Sequence, residues 1–222
     1  MILISAFLEF RQELWRATLE TLYMTGAGLA LSYALGAPLG AIIVLTAPGG
    51  LWQNKWLNVS LGLLTNAARS VPFIIMLILV VPFTRFLVGT MLGATAALVP
   101  LVIGAAPFVA RLVEASLNEV DKGVIEAARA MGASGFQITR KVMFPECAPS
   151  LIRGIAISAI TLMSFSAMAG VVGAGGLGHL AFRWGHERGR ADLMLVTVII
   201  IIALTALIQF ALNTIARIID KS

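Results

Sequence analysis

Charge is scarce in this chain. Of its 222 residues 12% are charged and 59% hydrophobic, whereas an ordinary soluble domain carries about 25% charged residues. Acids are rarer still within its apolar runs: none lies between Glu20 and Glu114, nor between Glu146 and Glu187. Proton- and sodium-coupled carriers place ionisable or coordinating groups at mid-membrane, often on broken helices of two repeated halves. With neither internal repeats nor such acids, ion-coupled exchange is disfavoured. Cysteine is nearly absent as well; Cys147 alone excludes an intramolecular disulfide, has no neighbouring partner for zinc, and reads as structural. The phosphate-cradling pattern GxxxxGK[ST] is missing, so any ATP must be held by another subunit and the chain itself is not expected to be an enzyme. Basic runs are lacking too, and the net charge of +5 is spread over several loops. That spread points to orientation in a membrane rather than to nucleic acid.

What the chain has in quantity is apolar length. Its mean hydropathy is +0.95, and no charged residue interrupts the runs Glu20 to Lys55, Arg85 to Arg111, Arg153 to Arg183 or Asp192 to Arg217. Each run supplies the roughly 20 residues a helix needs to cross a bilayer. LVTVIIIIALTALIQFAL does not alternate in polarity, as a barrel strand would. The reading is an all-α integral membrane protein forming a single membrane-spanning domain over 1–222. Five spans are expected at about 20–46, 57–83, 91–113, 148–172 and 191–216, the second interrupted by Arg69. Trp52 and Trp56 follow Pro48 and two glycines in a turn, and Trp15 and Trp184 also fall at expected headgroup levels. Phe7, Phe10, Leu14 and Ala17 follow helical spacing opposite a charged stripe, which suits an interfacial helix over about 5–19; a soluble tail is the alternative. The start lacks the layout of a signal peptide.

Lysine and arginine choose the orientation. With the N-terminus outside, the inner face receives nine: Lys55, Arg111, Lys122, Arg129, Arg140, Lys141, Arg153, Arg217 and Lys221. The outer face receives six: Arg11, Arg16, Arg85, Arg183, Arg188 and Arg190. This favours an outer N-terminus, an inner C-terminus and a cytoplasmic loop over about 118–147.

That loop is the polar block of the chain. On a helical wheel Lys122, Glu126 and Arg129 share one stripe, with Val124, Ala127, Ala128 and Met131 opposite. Gly132 stands where a helix ends, and Ser134 with Gln137 resembles a capping box opening a second helix, in which Phe136 groups with Ile138, Thr139, Val142 and Met143. Pro145 and Pro149 punctuate the return to the membrane. A hinged amphipathic pair of this kind docks in a partner's groove or rests on lipid.

Inside the membrane Arg69 must face protein or a cavity. Pro72 cannot donate its amide, which frees the carbonyl of Ala68 and favours a bend. Arg69 either attracts a substrate carboxylate, satisfies freed carbonyls, or sits at a dimer seam. The fourth span, dense in Ser, Ala and Gly, packs closely against other helices by default. Gly173, Gly175 and Gly178 formally fit GxGxxG but lack the strand such a site requires, and His179 and His186 have no ligand-spaced partner.

The block Glu126-Ala127-Ala128, Gly132 and Pro145 resembles the EAA loop of permease subunits of binding-protein-dependent ABC importers, with Val142 and Phe144 where isoleucine and leucine are usual. RSVPFIIMLILVVPFTRFLVGT, VPLVIGAAPFVARLVEASL and SAMAGVVGAGGLG extend the resemblance across nearly the whole chain, toward the methionine importer permeases. The resemblance implies type I ABC importer permease architecture in a bacterial inner membrane. Implied partners are a second copy of the chain, two cytoplasmic ATP-binding subunits and an external substrate-binding lipoprotein. It implies ATPase coupling through Glu126, Ala127, Ala128, Met131 and Gly132, and a gate at Met168 with Ser164 and Phe165 beside it. A small channel or scaffold with a partner-binding loop and no ATP coupling is the other class of function.

Overall fold

The computed structural model describes residues 2–219; Lys221, counted above on the inner face, lies outside them. The described residues form helices and turns without a strand: α1 (Ile2–Glu9), α2 (Arg11–Thr46), α3 (Lys55–Ser70), α4 (Phe73–Leu79), α5 (Val81–Val88), α6 (Ala94–Asn118), α7 (Lys122–Ala130), α8 (Gly135–Ile138), α9 (Phe144–Glu146), α10 (Ala148–Val171), α11 (Gly176–Leu180) and α12 (Ala191–Ile219). Four helical stretches are long and apolar enough to cross a membrane: Arg11–Thr46, Ala94–Asn118, Ala148–Glu187 and Ala191–Ile219. Counting the bent pair α3 and α4 as one span gives five.

The first stretch differs from expectation. The helix expected over 5–19 is divided: α1 stops at Glu9, and from Arg11 the chain is already in the long helix α2. The reason is packing. Phe10, Leu14 and Ala17 are buried against Leu177, Leu180, Leu193 and Val196, so the apolar stripe is covered by protein; Phe7 alone of that stripe stays exposed. Arg190 fixes the arrangement by reaching Glu9 at 2.9 Å and Asp192 at 3.0 Å.

The second span is not one straight helix. α3 and α4 meet at 101°, because Val71 is extended (φ −81°, ψ 123°) and Pro72 has no N–H to continue the ladder. Arg69 lies one residue from the end of α3.

α2 and α6 form the spine. Gly36 and Gly40, one helical turn apart, meet the backbone of Ala106 and Ala110 on α6. A Cβ on Gly36 would come within 2.5 Å of the Ala106 carbonyl oxygen and 2.8 Å of Val109 Cβ, so only glycine lets the helices approach this closely. After α10 the chain folds straight back: Gly170 and Gly178 leave room for α11 to lie against the helix it has just left. Gly93 N–H donates to the Gly173 carbonyl at 3.0 Å, the Glu20 carboxylate accepts from Gly176 N–H at 2.8 Å, and Thr21 Oγ1 accepts from Leu177 N–H at 2.9 Å. One end of the bundle is thereby tied together. At the opposite end Ala41, Leu45, Val109, Val113, Leu117, Val120, Ala128, Ile138, Met143 and Cys147 form one core that carries the 118–147 loop.

Candidate functional site

Two places hold the residues singled out in the sequence. The first is the loop between α6 and α10. Asp121 opens α7 by accepting from Gly123 N–H at 2.7 Å and Val124 N–H at 3.3 Å. Gly132 closes it at φ +82°, with Gly132 N–H donating to the Arg129 carbonyl and Ala133 N–H to the Ala128 carbonyl. That paired pattern is the Schellman motif, in which glycine supplies the left-handed residue. Ser134 and Gln137 then satisfy each other's backbone amides, a complete capping box. After the single turn of α8 the helix widens to π geometry over Thr139–Met143. Pro145 cannot donate and its ring crowds the preceding turn; the extra residue of a π turn makes room.

The loop is split between support and display. Ala128, Ile138 and Met143 are buried in the end core, and Ile125 packs beside it. Ala127, Val124, Met131 (82% exposed) and Phe136 (61% exposed) face outward. The wheel placed Ala127 and Ala128 on one face and Phe136 with Ile138. The structure separates both pairs, because the core takes Ala128 and Ile138 while the bend turns Phe136 away. Glu126 is exposed and borders a cavity of about 320 Å³ shared with Lys122, Arg129 and the turn Ala47 to Leu51. Trp52 stands over the bend: a Cβ on Gly135 would come within 2.7 Å of its Nε1. Cys147 lies in the same core, and burial pushes its thiol up to about 11, so it is a packing residue with little thiolate at neutral pH.

The second place is a cavity of about 270 Å³ at the break of the second span, lined by Ala68, Arg69, Val71, Phe73, Met76, Gly104, Phe108, Thr161 and Phe165. Phe73 and Phe165 stack with ring centroids 4.1 Å apart and planes 2° from parallel. Gly104 permits this stack, since a Cβ there would meet Phe73 Cδ2 at 3.2 Å. Of the expected pathway residues, Arg69 and Phe165 therefore share one cavity. Ser164 is exposed with its hydroxyl donating to the Ile160 carbonyl, and Met168, 43% exposed, lies beyond the cavity lining on the same helix. Phe73, Gly104, Phe108 and Thr161 were not singled out from sequence. Phe73 follows Pro72 directly, which was the available signal; the others come from helices distant in sequence.

Residues 36–222 match the family described as binding-protein-dependent transport system inner membrane component. The chain is 48% identical over 204 residues to a probable D-methionine transport system permease protein of Vibrio cholerae, covering 92% of this chain and 91% of the relative. It is 50% identical over 209 residues to a methionine import system permease protein of Bacillus subtilis, covering 94% of each. Its fold matches a chain of the MetNI methionine ABC transporter, solved in inward-facing conformations, at a TM-score of 0.94 and 43% identity, over 96% of this chain and 99% of that one. An amino acid ABC transporter solved with histidines shares the fold at a TM-score of 0.79 and 18% identity, over 95% of each chain. With the family match running from within α2 to the C-terminus, the chain belongs to the binding-protein-dependent transport system inner membrane components and is a permease subunit of an ABC importer.

Proposed function

We propose that this chain moves methionine across the bacterial inner membrane by alternating access, as one of two identical permease subunits. Each copy seats its 118–147 loop on a cytoplasmic ATP-binding subunit, and an external substrate-binding lipoprotein delivers the cargo. The N-terminus is outside and the C-terminus cytoplasmic. The permease binds no cofactor or metal; ATP and Mg belong to the partner subunits. Methionine as cargo is supported by what the relatives named above carry.

The observation that carries the coupling role is the division of the loop. Ala128, Ile138 and Met143 bind it to the end of α6, while Glu126, Ala127, Met131 and the bend at Gly132 stand outward. A body fixed on one side and displaying apolar side chains beside Lys122, Glu126 and Arg129 on the other fits a groove. Closure of the ATPases pulls the loop, and α6 and α10, to which it is joined at both ends, carry the displacement into the membrane. Met168, with Ser164 and Phe165, forms the gate, a place where a flexible thioether closes a narrow passage and lets a similar side chain slide past.

Reconstitution with the ATP-binding subunits and the binding protein in proteoliposomes tests this. Wild type is expected to show ATP-dependent methionine uptake. Glu126→Lys and Gly132→Pro are each expected to lower uptake about tenfold or more, since each removes a charged contact or the bend. Uptake that persists without ATP would mean a channel, and full uptake by both variants would sink the coupling assignment.

A further inference from the structure

We propose that the cavity at the α3–α4 break is a transient subsite for the α-amino acid head group of the cargo. In it the Arg69 guanidinium takes the carboxylate, free acceptors at the end of α3 take the ammonium, and the Phe73–Phe165 stack takes the apolar side chain. The proposal rests on the importer reading for the identity of the cargo; the geometry of the cavity stands apart from it.

Arg69 is exposed on the single chain and, unlike the loop cations Arg129, Arg140 and Arg183, stands on an expected membrane span. Arg16 is paired with Glu20, Arg111 with Glu114 and Asn66, and Arg190 with Glu9 and Asp192. Arg69 has no hydrogen bond or ion pair among the described residues. It lies about 21 Å along α3 from Lys55 at about 1.5 Å per residue, a length shorter than the roughly 30 Å thickness of a hydrocarbon core. A charge within that core needs a partner or a water-filled cavity. The guanidinium offers five donors in a planar fork and no acceptor, the geometry that matches a carboxylate.

The acceptors lie beside it. The last four carbonyls of a helix have no intrahelical donor, and here Pro72 removes the amide that would have bonded the Ala68 carbonyl. Ala68 lines the cavity with Arg69. Thr161, on the facing wall, spends its hydroxyl proton on the Ile157 carbonyl at 2.9 Å, so toward the cavity its oxygen offers only lone pairs. The ends of broken membrane helices serve ions and zwitterions in this way in other transporters. One donor group and one set of acceptors in the same cavity complement a zwitterion rather than a simple anion. Apolar walls from Phe73, Met76, Phe108 and Phe165 complete it, and about 270 Å³ suits a single small molecule.

The test measures ATP hydrolysed per methionine carried by the complete reconstituted transporter with its binding protein at saturation. Arg69→Gln is expected to raise that ratio about tenfold or more, because cargo is no longer held while the cycle turns, and Arg69→Lys to recover most of the coupling. Gly104→Ala, which pushes the aromatic pair, is expected to raise it by a smaller factor. An unchanged ratio in Arg69→Gln overturns the subsite, whether both rates hold or both fall together, since a cation that only braces the dimer seam gives that result. A wild-type complex that hydrolyses ATP but carries no α-amino acid overturns the importer reading instead, before any variant is made.

Discussion

Gly36 shows how far a single missing methyl group reaches. Its α carbon stands so close to α6 that Gly36→Ala must displace backbone rather than a flexible side chain. Overpacking of this kind costs about 1–3 kcal/mol, so the variant is expected to lower the thermal unfolding midpoint of the purified protein in detergent. The signal was present as Gly36-Ala-Pro-Leu-Gly40, a GxxxG pattern. Within so hydrophobic a run the pattern is hard to tell from glycines at turns. Gly132 was legible for the opposite reason: it sits among charges, just after an amphipathic stripe, where a left-handed cap is the natural reading. Arg69 was legible as a charge in oil. Its aromatic neighbours were not, because Phe165 stands 92 positions after Phe73 and only the packing of α4 against α10 brings them into register.

Among the elements, the helical pair of the 118–147 loop was written locally, in the Asp121 cap, the Gly132 bend and the Ser134–Gln137 box. The break at Pro72 was written locally too, but its 101° angle was not. The return of α11 onto α10 depends on Glu20 and Thr21, 156 residues earlier, a pairing that no window of neighbouring residues contains. α1 is held by a similar long-range contact, and there pH becomes a lever. The Arg190 hydrogen bond holds the Glu9 carboxyl below its usual range, so this contact stabilises docking above that range and is lost as pH falls through the depressed value. Hydrogen exchange of the α1 amides is expected to quicken as pH drops through that window, after correction for the intrinsic rate. Glu9→Gln is expected to show the faster exchange already at neutral pH.

Across the whole molecule, hydropathy runs gave the long helices, and the structure groups their connections into two ends. α1, Gly93, Gly173 and Arg190 gather at one, and Trp52, the 118–147 loop and Ile219 at the other. The excess of basic residues at the second end supports the proposal that this end faces the cytoplasm. Lys141→Cys is expected to react with an impermeant maleimide only from inside and Arg188→Cys only from outside intact cells; the native Cys147 is buried and leaves the background low. The reverse pattern would invert the topology. α2 connects the two ends without interruption, gripped at Glu20 by Gly176 and at Leu45 by the turn that bears Trp52. From Glu20 to Leu45 it measures about 37 Å. A rod of that length pivoting near one end by about ten degrees sweeps its other end through about 6 Å, more than a full helical pitch. In the proposed cycle, leverage of this kind would turn a modest tug on the loop into a stroke large enough to open or shut a passage the width of an amino acid.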